Sequence, residues 1–450
     1  MGQEPFQRTQ GAVLYAAVSL VLLSVLVLGG NSPLIWSLLA ITVFLLFSAQ
    51  ILLSLTSIVP LAIHRLMVPG GLYLAVLAWA WIQSIGGMPT SAAHPLWAYV
   101  PDAAASISAD PTETRQSVVR LLCYAMIFVM TVWATTEGRR ASTVLKVIAF
   151  FSTGLAIYAL YASVTRTNMF LGPEAGAVVK ASFVNRNNYA TYVAFGAFAN
   201  LAAYLHVSSR QTDGFRGRLE GFFSGAWIYA FGLIVCIGTV SMTQSRAGGI
   251  AGLVGLAVFL LAWRRDRATR WDMVMLGLLV AVLIFIGLTS ATGLTERLLA
   301  TSEEEIRFTI YPLIVDAIAD RPLFGHGLGA FEDAFRPYIP FEVSQLELRR
   351  AHNDYLELAF GLGLPATAFF LLALGLIASR IYRGAKLRHM NRAFSCFALG
   401  CAATAAFHSV FDFSLQMPAI AALFAVILGL GYAQSFTHAE KKAYLKGDGG

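Results

Sequence analysis

The residues of this chain best suited to chemistry lie together in the segment 349–357 (RRAHNDYLE), between a long polar stretch and an apolar one. His352 is followed by the carboxamide of Asn353 and by the carboxylates of Asp354 and Glu357. Histidine has an ordinary pKa of about 6.5, so near neutral pH it can accept a proton from a hydroxyl group. The structural alternative is a loop histidine, with Asp354 as the N-cap of the next helix and Glu357 completing a capping box. That capping role would not occupy His352, and both interpretations stay open.

Two further polar groups interrupt apolar stretches. Arg246 lies in 245–249 (SRAGG), within a long apolar run. A guanidinium near the membrane surface is costly without an anionic partner, although an arginine that extends to the interface is the alternative. The second group, 182–189 (SFVNRNNY), starts a predicted helix and either lines the same cavity or caps that helix. The sequence assigns no role to the outer-loop residues Arg166, Lys180 and Arg186.

The elements that must position these residues are membrane helices. Of the 450 residues, 57% are hydrophobic and 13% are charged, which is about half the charged share of a soluble domain. Crossing a bilayer takes about 20 apolar residues, and in lipid each segment must satisfy its own backbone groups. The chain is therefore predicted to be an all-α polytopic membrane protein with about twelve transmembrane helices. The spans are placed near 12–29, 34–59, 68–86, 118–136, 143–164, 187–206, 222–242, 247–263, 272–290, 354–379, 392–410 and 417–435.

The distribution of charge predicts the orientation. With the N-terminus in the cytoplasm, most of the 32 lysine and arginine residues fall on the cytoplasmic side and most acidic residues fall outside, as the positive-inside rule requires. The basic balance therefore indicates topology and does not imply a nucleic-acid partner. The predicted organisation is nine spans over 1–290, a structured periplasmic loop over 291–353, three spans over 354–436 and a cytoplasmic tail over 437–450.

The periplasmic loop is predicted to contain one amphipathic helix, from Glu303 to about Ala319. Apolar residues recur there with the spacing of one helical face, and acidic residues cluster at its start, where they suit the positive helix end. Arg307 and Tyr311 are four residues apart and share a face. The segment 325–329 (GHGLG), which contains His326, is predicted to be a tight turn, with phosphate binding by its backbone N–H groups as the alternative.

Five segments together resemble the O-antigen ligase and O-antigen polymerase superfamily of bacterial inner-membrane glycosyltransferases. They occur in the family's order and cover roughly residues 180–420. The segments are 183–189 (FVNRNNY), 245–248 (SRAG), 306–327 with its IRF and DRPLFGHG ends, 352–357 (HNDYLE) and 408–416 (HSVFDFSLQ). The resemblance implies a GT-C-like enzyme of twelve spans with the long periplasmic loop between spans nine and ten.

The resemblance also implies the reaction and its residues. Such enzymes move a glycan from an undecaprenyl-diphosphate carrier to an acceptor sugar on the periplasmic face, without a metal or other cofactor. By resemblance His352 is the catalytic residue, and Arg246 and Arg307 bind the diphosphate. Arginine suits phosphate oxygens because it stays protonated and donates two N–H bonds at once, and His352 would act as the general base in a single inverting displacement. Candidate substrate or supporting residues are Tyr311, Asn353, Asp354, Arg186 and His326.

The sequence does not determine the acceptor of the glycan. Lipid A–core as the acceptor would make the protein a ligase, whereas a second repeat unit would make it a polymerase of O-antigen, capsule or exopolysaccharide. A transporter of lipid-linked sugars is the alternative from a different class, and it predicts an internal repeat with charged or broken helices at mid-membrane. The sequence shows no such repeat. The expected partners are the lipid-linked donor, a lipid A–core or growing glycan acceptor, and the bilayer.

Overall fold

The computed structural model describes residues 3–55, 58–100, 102–167, 178–208, 225–264, 302–340, 348–388 and 391–446, and over 3–8 and 302–309 it describes the backbone alone. Within these ranges the chain is helical, as predicted. The α-helices are α1 (Gln3–Ser24), α2 (Pro33–Ser54), α3 (Leu61–His64), α4 (Met67–Gln83), α5 (Pro111–Ala134), α6 (Gly138–Thr165), α7 (Arg186–Ser208), α8 (Trp227–Met242), α9 (Arg246–Trp263), α10 (Ser302–Asp320), α11 (Phe331–Phe335), α12 (Asp354–Leu362), α13 (Leu364–Leu387), α14 (Arg392–His408), α15 (Pro418–Ala433) and α16 (His438–Lys446). Short 3-10 helices cover Leu28–Gly30, Pro95–Tyr99, Arg336–Tyr338 and Ser414–Gln416.

Six of the described helices are long and apolar enough to cross a membrane, namely α2, α5, α6, α7, α9 and α13. A seventh candidate is the pair α15 and α16, which meet at an angle of 74°. Shorter apolar helices are Thr9–Ser24, α4 and α8. The class of polytopic helical membrane protein is therefore supported, whereas the count of twelve spans and the GT-C-like arrangement stay predictions. The ninth predicted span, 272–290, lies outside the described residues.

The tenth predicted span, 354–379, is not one helix. It is divided at Gly363, whose φ is +78°, and Pro365 in the first turn of α13 favours a new helix start. The side chain of Gln83, at the end of α4, stabilises the break: its Nε2 donates to the carbonyl of Phe324 at 2.7 Å and to that of Gly361 at 2.9 Å. The helix α12 is consequently a separate element outside the candidate span.

Close helix pairing sets the position of the site. α9 packs along α14, α7 along α8, and α5 along α15. Gly255 permits the first of these pairings, because a Cβ at this position would overlap the side chain of Thr404 and the carbonyl of Gly400. The pairing brings together α9, which begins with Arg246, and α14, which ends with His408.

The loop helix α10 covers the segment for which the sequence predicts a helix, and it has a small core of its own. Its buried residues are Ile310, Ile314, Ala317 and Ile318, which all belong to the predicted apolar face. They pack with Phe331, Phe335 and Phe360 in one cluster. Since Phe360 belongs to α12, the loop helix is fastened to the element that begins directly after His352.

Candidate active site

His352 occupies the turn directly before α12. Its φ is +51°, a left-handed conformation that is uncommon for residues other than glycine but more accessible to Asn, Asp and His. Asn353 is the N-cap, and its Oδ1 accepts hydrogen bonds from the amides of Tyr355 and Leu356, both at 3.0 Å. The predicted N-cap, Asp354, is instead the first residue of the helix. Both side chains can cap a helix, and the left-handed turn at His352 places the side-chain carboxamide of Asn353 in the capping position.

Glu357 does not form the predicted capping box. Its Oε2 accepts the amide of Ala351 at 2.9 Å, and its Oε1 accepts a hydrogen bond from the Arg350 guanidinium at 3.1 Å. These contacts tie the segment before His352 to the first turns of α12. Both flanks of His352 are therefore fixed by side chain to backbone hydrogen bonds.

The carboxylate of Asp412 lies against the ring of His352. Asp412 Oδ1 is 3.7 Å from His352 Nδ1, and the aspartate side chain is 0% exposed while the histidine side chain is 31% exposed. At this distance the contact is electrostatic and longer than a hydrogen bond. Burial by itself raises the pKa of a carboxyl group, but the interactions with His352, with His408 and with the backbone amide of Phe413 outweigh it and lower the pKa of Asp412. An ionised acid thus supports a partly exposed histidine.

This pairing has a chemical consequence for the imidazole. A carboxylate beside Nδ1 favours the tautomer that carries its proton there, which leaves the lone pair on Nε2. The ring also meets Phe413 edge to face, with 4.9 Å between the centroids, and this contact restricts its rotation. A histidine that is held in one orientation beside a carboxylate in this way is suited to act as a general base.

Tyr311 connects the loop helix to the same turn. Its hydroxyl donates a hydrogen bond of 2.9 Å to the carbonyl oxygen of His352. The contact is to the backbone, so Tyr311 acts on the position of the histidine rather than on its ring. It also brings the helix that carries Arg307 to the turn that contains His352.

Asp354 is a second buried carboxyl group close to Asp412. Its Oδ2 accepts a hydrogen bond from Ser409 Oγ at 2.7 Å and its Oδ1 accepts one from Gln416 Nε2 at 2.9 Å. Burial raises the pKa of Asp354 to about 7 despite these hydrogen bonds, which favour the ionised form. The two aspartates therefore have opposite shifts, and only Asp412 is reliably ionised near neutral pH.

The turn that begins α9 presents Arg246 on the surface. Ser245 is the N-cap, and its Oγ accepts the amide of Gly248 at 3.1 Å while donating to Asn187 Oδ1 at 2.7 Å. A Cβ at Gly248 would collide with the Cβ of Ala190, so glycine allows α9 to approach α7 this closely. The exposed guanidinium of Arg246 and the N-terminal end of α9 then give the same location positive potential.

The start of α7 joins the arginine turn to the Asp412 turn. Asn188 Oδ1 accepts a hydrogen bond from Ser414 Oγ at 3.1 Å. Thr191 Oγ1 lies 2.6 Å from His408 Nδ1, and Ser414 Oγ lies 3.1 Å from the same nitrogen. Together with the Ser245–Asn187 bond, these contacts link three distant parts of the chain through one buried polar network.

The remaining predicted residues differ in position. Arg186 is the first residue of α7 and is half-buried, as is Lys180 before it, whereas Arg166 is exposed at the end of α6. Arg307 lies in α10, but its side chain is outside the described part of the chain. The structure therefore brings His352, Asp354 and Tyr311 together and leaves the expected diphosphate roles of Arg246 and Arg307 as predictions.

The glycine-rich segment after α10 is a structural turn. The amides of His326 and Gly327 donate to the carbonyls of Phe360 at 2.8 Å and Gly361 at 3.0 Å, so neither is directed at a phosphate. His326 itself is 1% exposed and stacks on Phe360 with 4.2 Å between the ring centroids. The ring of His326 is therefore buried against α12.

His326 has an unexpected partner in His94, which is 5% exposed. His94 Nε2 and His326 Nδ1 are 2.8 Å apart, and His326 Nε2 is 2.9 Å from the carbonyl of Ala317 in α10. Arg321 joins the same two loops, since its guanidinium donates to the carbonyls of Ala92 and Ala93 at 2.7 and 3.0 Å. The loop after α4 and the loop after α10 are thus held together by buried hydrogen bonds.

Sequence reasoning assigned no role to Asp412 or His408. Both lie in the segment 408–416, which contributed only to the resemblance. The signal that was present is a histidine and an aspartate four residues apart, directly after an apolar helix. The sequence alone could not show that this turn meets His352, 60 residues earlier.

The fold and the site define a polytopic helical membrane protein in which an acid-supported histidine and an exposed arginine lie at one end of the helix bundle. A family model described as O-antigen ligase matches residues 231–371, a range that contains Arg246, Arg307 and His352. The match covers less than half of the chain, and it supports a resemblance of residues 231–371 to the O-antigen ligase superfamily. No curated protein matches the chain significantly.

The family match supports a ligase- or polymerase-type role in polysaccharide biosynthesis and a glycosyltransferase-like activity. It also suggests lipid-linked glycan substrates and a bacterial membrane location. The match ends before Asp412 and begins after Arg186, so the acid that supports His352 and the start of α7 are known here from the structure alone.

Proposed function

We propose that this protein is a glycosyltransferase that moves a glycan from an undecaprenyl-diphosphate carrier to a sugar hydroxyl of lipid A–core. The reaction takes place on the periplasmic face of the inner membrane, and both termini are cytoplasmic. The observation that carries the proposal is the His352–Asp412 pair at the junction between a polar loop and the helices. Of the two residues, His352 lies inside the region matched by the O-antigen ligase family.

His352 is the general base. With the Nδ1 proton facing Asp412, the Nε2 lone pair takes the proton of the acceptor hydroxyl as its oxygen bonds to the anomeric carbon. The carboxylate then stabilises the imidazolium that forms, as an aspartate does in other acid–histidine pairs. Attack from the face opposite the leaving group inverts the anomeric configuration.

The leaving group is a diphosphate, which departs with the electron pair of the broken C–O bond. Its developing charge requires cationic partners, and guanidinium groups meet this need with two N–H donors each. Arg246, exposed at the N-terminal end of α9, is one such partner, and Arg307 on the loop helix is the other. No metal is part of this mechanism, and neutralisation by the arginines takes the place of one.

The second candidate is a repeat-unit polymerase of O-antigen, capsule or exopolysaccharide. It uses the same donor chemistry and the same His352–Asp412 pair, so the site supports it equally, and only the acceptor differs. A transporter of lipid-linked sugars is less well supported, because the sequence shows no internal repeat of the kind on which many such transporters are built.

The test is a transfer assay with purified protein and EDTA, in which lipid-linked glycan is offered with lipid A–core or with no acceptor except itself. His352→Asn is the informative variant, since asparagine tolerates the left-handed φ at this position while alanine would add strain. We expect transfer to fall by about a hundredfold or more, the usual contribution of a general base, with unfolding unchanged.

Each outcome has a defined meaning. Product with lipid A–core indicates the ligase, and product without it indicates the polymerase. Equal transfer by wild type and His352→Asn removes His352 as the base. If folded wild-type protein transfers glycan to neither acceptor, this result contradicts the enzyme proposal and favours the transporter.

A further inference from the structure

One carboxyl group joins the turn that contains His352 to the segment that carries Asp412. Asp354 begins α12, two residues after the histidine, and is 7% exposed. Its Oδ2 accepts a hydrogen bond from Ser409 Oγ at 2.7 Å, and its Oδ1 accepts one from Gln416 Nε2 at 2.9 Å. Its backbone amide also donates to the carbonyl of Ser409 at 2.8 Å. Asp354 is therefore bonded to the chain on both sides of Asp412.

The contact between His352 and Asp412 does not by itself fix their separation. Asp412 Oδ1 and His352 Nδ1 are 3.7 Å apart, which is longer than a hydrogen bond. An attraction between charges at such a distance changes gradually with separation and has little directional preference. The relative position of the two side chains is therefore set by the hydrogen bonds that hold their backbones.

The segment 409–416 supplies both groups that contact the imidazole of His352. Phe413, directly after Asp412, meets the ring edge to face with 4.9 Å between the centroids. The amide of Gln416 donates to the carbonyl of Phe413 at 3.0 Å, so the end of the segment is bonded to the residue that touches the ring. A displacement of Gln416 would consequently move both contacts.

The two ends of this segment are not fastened to α12 equally. At Ser409 a backbone hydrogen bond to Asp354 accompanies the side-chain bond. At Gln416 the described link to Asp354 is from the side chain alone. The segment is also bonded to α7, because Ser414 Oγ donates to Asn188 Oδ1 at 3.1 Å. Loss of the Gln416 amide therefore releases the segment from α12 at one end while the segment stays attached to the bundle.

We infer that Gln416 is a positioning residue for the transfer reaction: its hydrogen bond to Asp354 keeps the carboxylate of Asp412 against the proposed general base. This inference rests on the proposed function, and Gln416 itself touches no substrate. A displacement of about 1 Å in a reacting group can cost about a hundredfold in rate. Without this link the imidazole loses the fixed carboxylate that selects one of its tautomers.

The test is Gln416→Met, which keeps the length of the side chain and removes its amide. We expect kcat to fall about tenfold or more and the KM values to change less than about threefold, because the substrate contacts remain. Gln434→Met is the matched control. Gln434 is 0% exposed, its Nε2 donates to the carbonyl of Thr135, and it follows α15 at the end opposite Gln416. Its kcat should stay within about twofold of the wild-type value.

Asp354→Asn separates the hydrogen bonds of Asp354 from its charge. The asparagine oxygen accepts the hydrogen bond of Ser409, and its NH2 group donates to Gln416 once that amide is turned over. We therefore expect kcat to stay within about threefold of the wild-type value. A loss of about a hundredfold in folded Asp354→Asn would overturn the inference, because only the charge has been removed.

A double-mutant cycle tests whether Gln416 acts through Asp412. If it does, adding Gln416→Met to Asp412→Asn should lower kcat by less than about twofold further. Fully additive losses in activation free energy would overturn the inference. So would an unchanged kcat in folded Gln416→Met, or an equal loss in Gln434→Met.

A measurement without substrate keeps the result independent of the reaction. The nitrogen-15 chemical shifts of the His352 ring, assigned by their loss in His352→Asn, report how the proton is shared between Nδ1 and Nε2. At about pH 8.5, where an ordinary histidine is neutral, the Nδ1–H tautomer should be less populated in Gln416→Met than in wild type or Gln434→Met. An unchanged distribution of tautomers would overturn the inference.

The two proposals fail in different ways. If wild type transfers no glycan and the tautomers still change in Gln416→Met, the proposed function fails and the positioning role of Gln416 stands. If wild type transfers glycan and Gln416→Met changes neither the tautomers nor kcat, the positioning role fails and the proposed function stands.

Discussion

Acidification should weaken the junction between the loop after α4 and the loop after α10, because that junction contains the buried His94–His326 pair. The hydrogen bonds fix the tautomer of each ring. The amide of Leu96 donates to His94 Nδ1 at 3.2 Å, so the proton of His94 is on Nε2 and points at His326 Nδ1. The proton of His326 is then on Nε2, where the carbonyl of Ala317 accepts it.

Adding a proton to either ring would set two donors against each other. Burial is the largest cause that lowers the pKa of His94, to about 3, followed by the charges of His326 and Arg321. Burial also lowers the pKa of His326, to about 4, although the carbonyl of Ala317 partly opposes the shift. Both values lie below the ordinary histidine value of about 6.5. The pair therefore contributes its full stability above about pH 6.5 and loses it as the pH falls toward 4.

The magnitude follows from these shifts. At about pH 5 the unfolded chain binds a proton on each histidine while the folded protein binds almost none. Relative to about pH 8, each ring then costs about 2 kcal/mol of unfolding free energy, or about 4 kcal/mol for the pair. This is a large part of the stability of an ordinary domain.

The assay is unfolding of the purified protein in detergent at several pH values between about 8 and 5, compared for wild type and His326→Phe. Phenylalanine keeps the stacking on Phe360 but removes one titrating ring, so the loss between these pH values should shrink by about 2 kcal/mol. The variant should also be less stable at pH 8, by about 1 to 3 kcal/mol, since the Nε2–H of His94 and the carbonyl of Ala317 lose their partner. His438→Phe, at an exposed position, is the control. Equal losses in wild type and His326→Phe would refute the argument.

Three further predictions concern the site. Asp412→Asn should lower kcat in the transfer assay by about a hundredfold or more, because a neutral amide cannot stabilise the imidazolium; a loss below about threefold would show that His352 works unaided. Asp354→Asn should become more stable relative to wild type as the pH rises from about 4 to about 7. The reason is that the raised pKa of Asp354 makes its ionisation unfavourable in the folded wild-type protein. Melting curves at both pH values test this, and a difference in stability between variant and wild type that does not change with pH would contradict it. Ser245→Ala should cost about 1 kcal/mol of stability, because the N-cap of α9 is lost. It should also raise the KM for the donor about three- to tenfold, because Arg246 is displaced. An unchanged KM for the donor would show that this turn takes no part in diphosphate binding.

Local features could be predicted from the sequence because they depend on neighbouring residues. The helical class follows from the length of the apolar runs, and the position of α10 follows from the spacing of residues such as Ile310 and Ile314. The junction at His352 was recognisable from the change of a polar loop into an apolar stretch. The N-cap was misplaced by one residue because capping depends on a backbone angle that composition does not specify.

The tertiary structure alone determined which residues contact the turn that contains His352. Asp412 meets His352, His94 meets His326, and Ser245 meets Asn187 across long separations in the chain. Such contacts require helix pairs at set distances, and these distances depend on single positions such as Gly255, where a side chain would force the helices apart. The sequence determined which chemical groups were available at the end of each helix. The packing of the bundle determined which buried acid faces which histidine, because charge is retained in a protein interior only where a compensating group is held close to it.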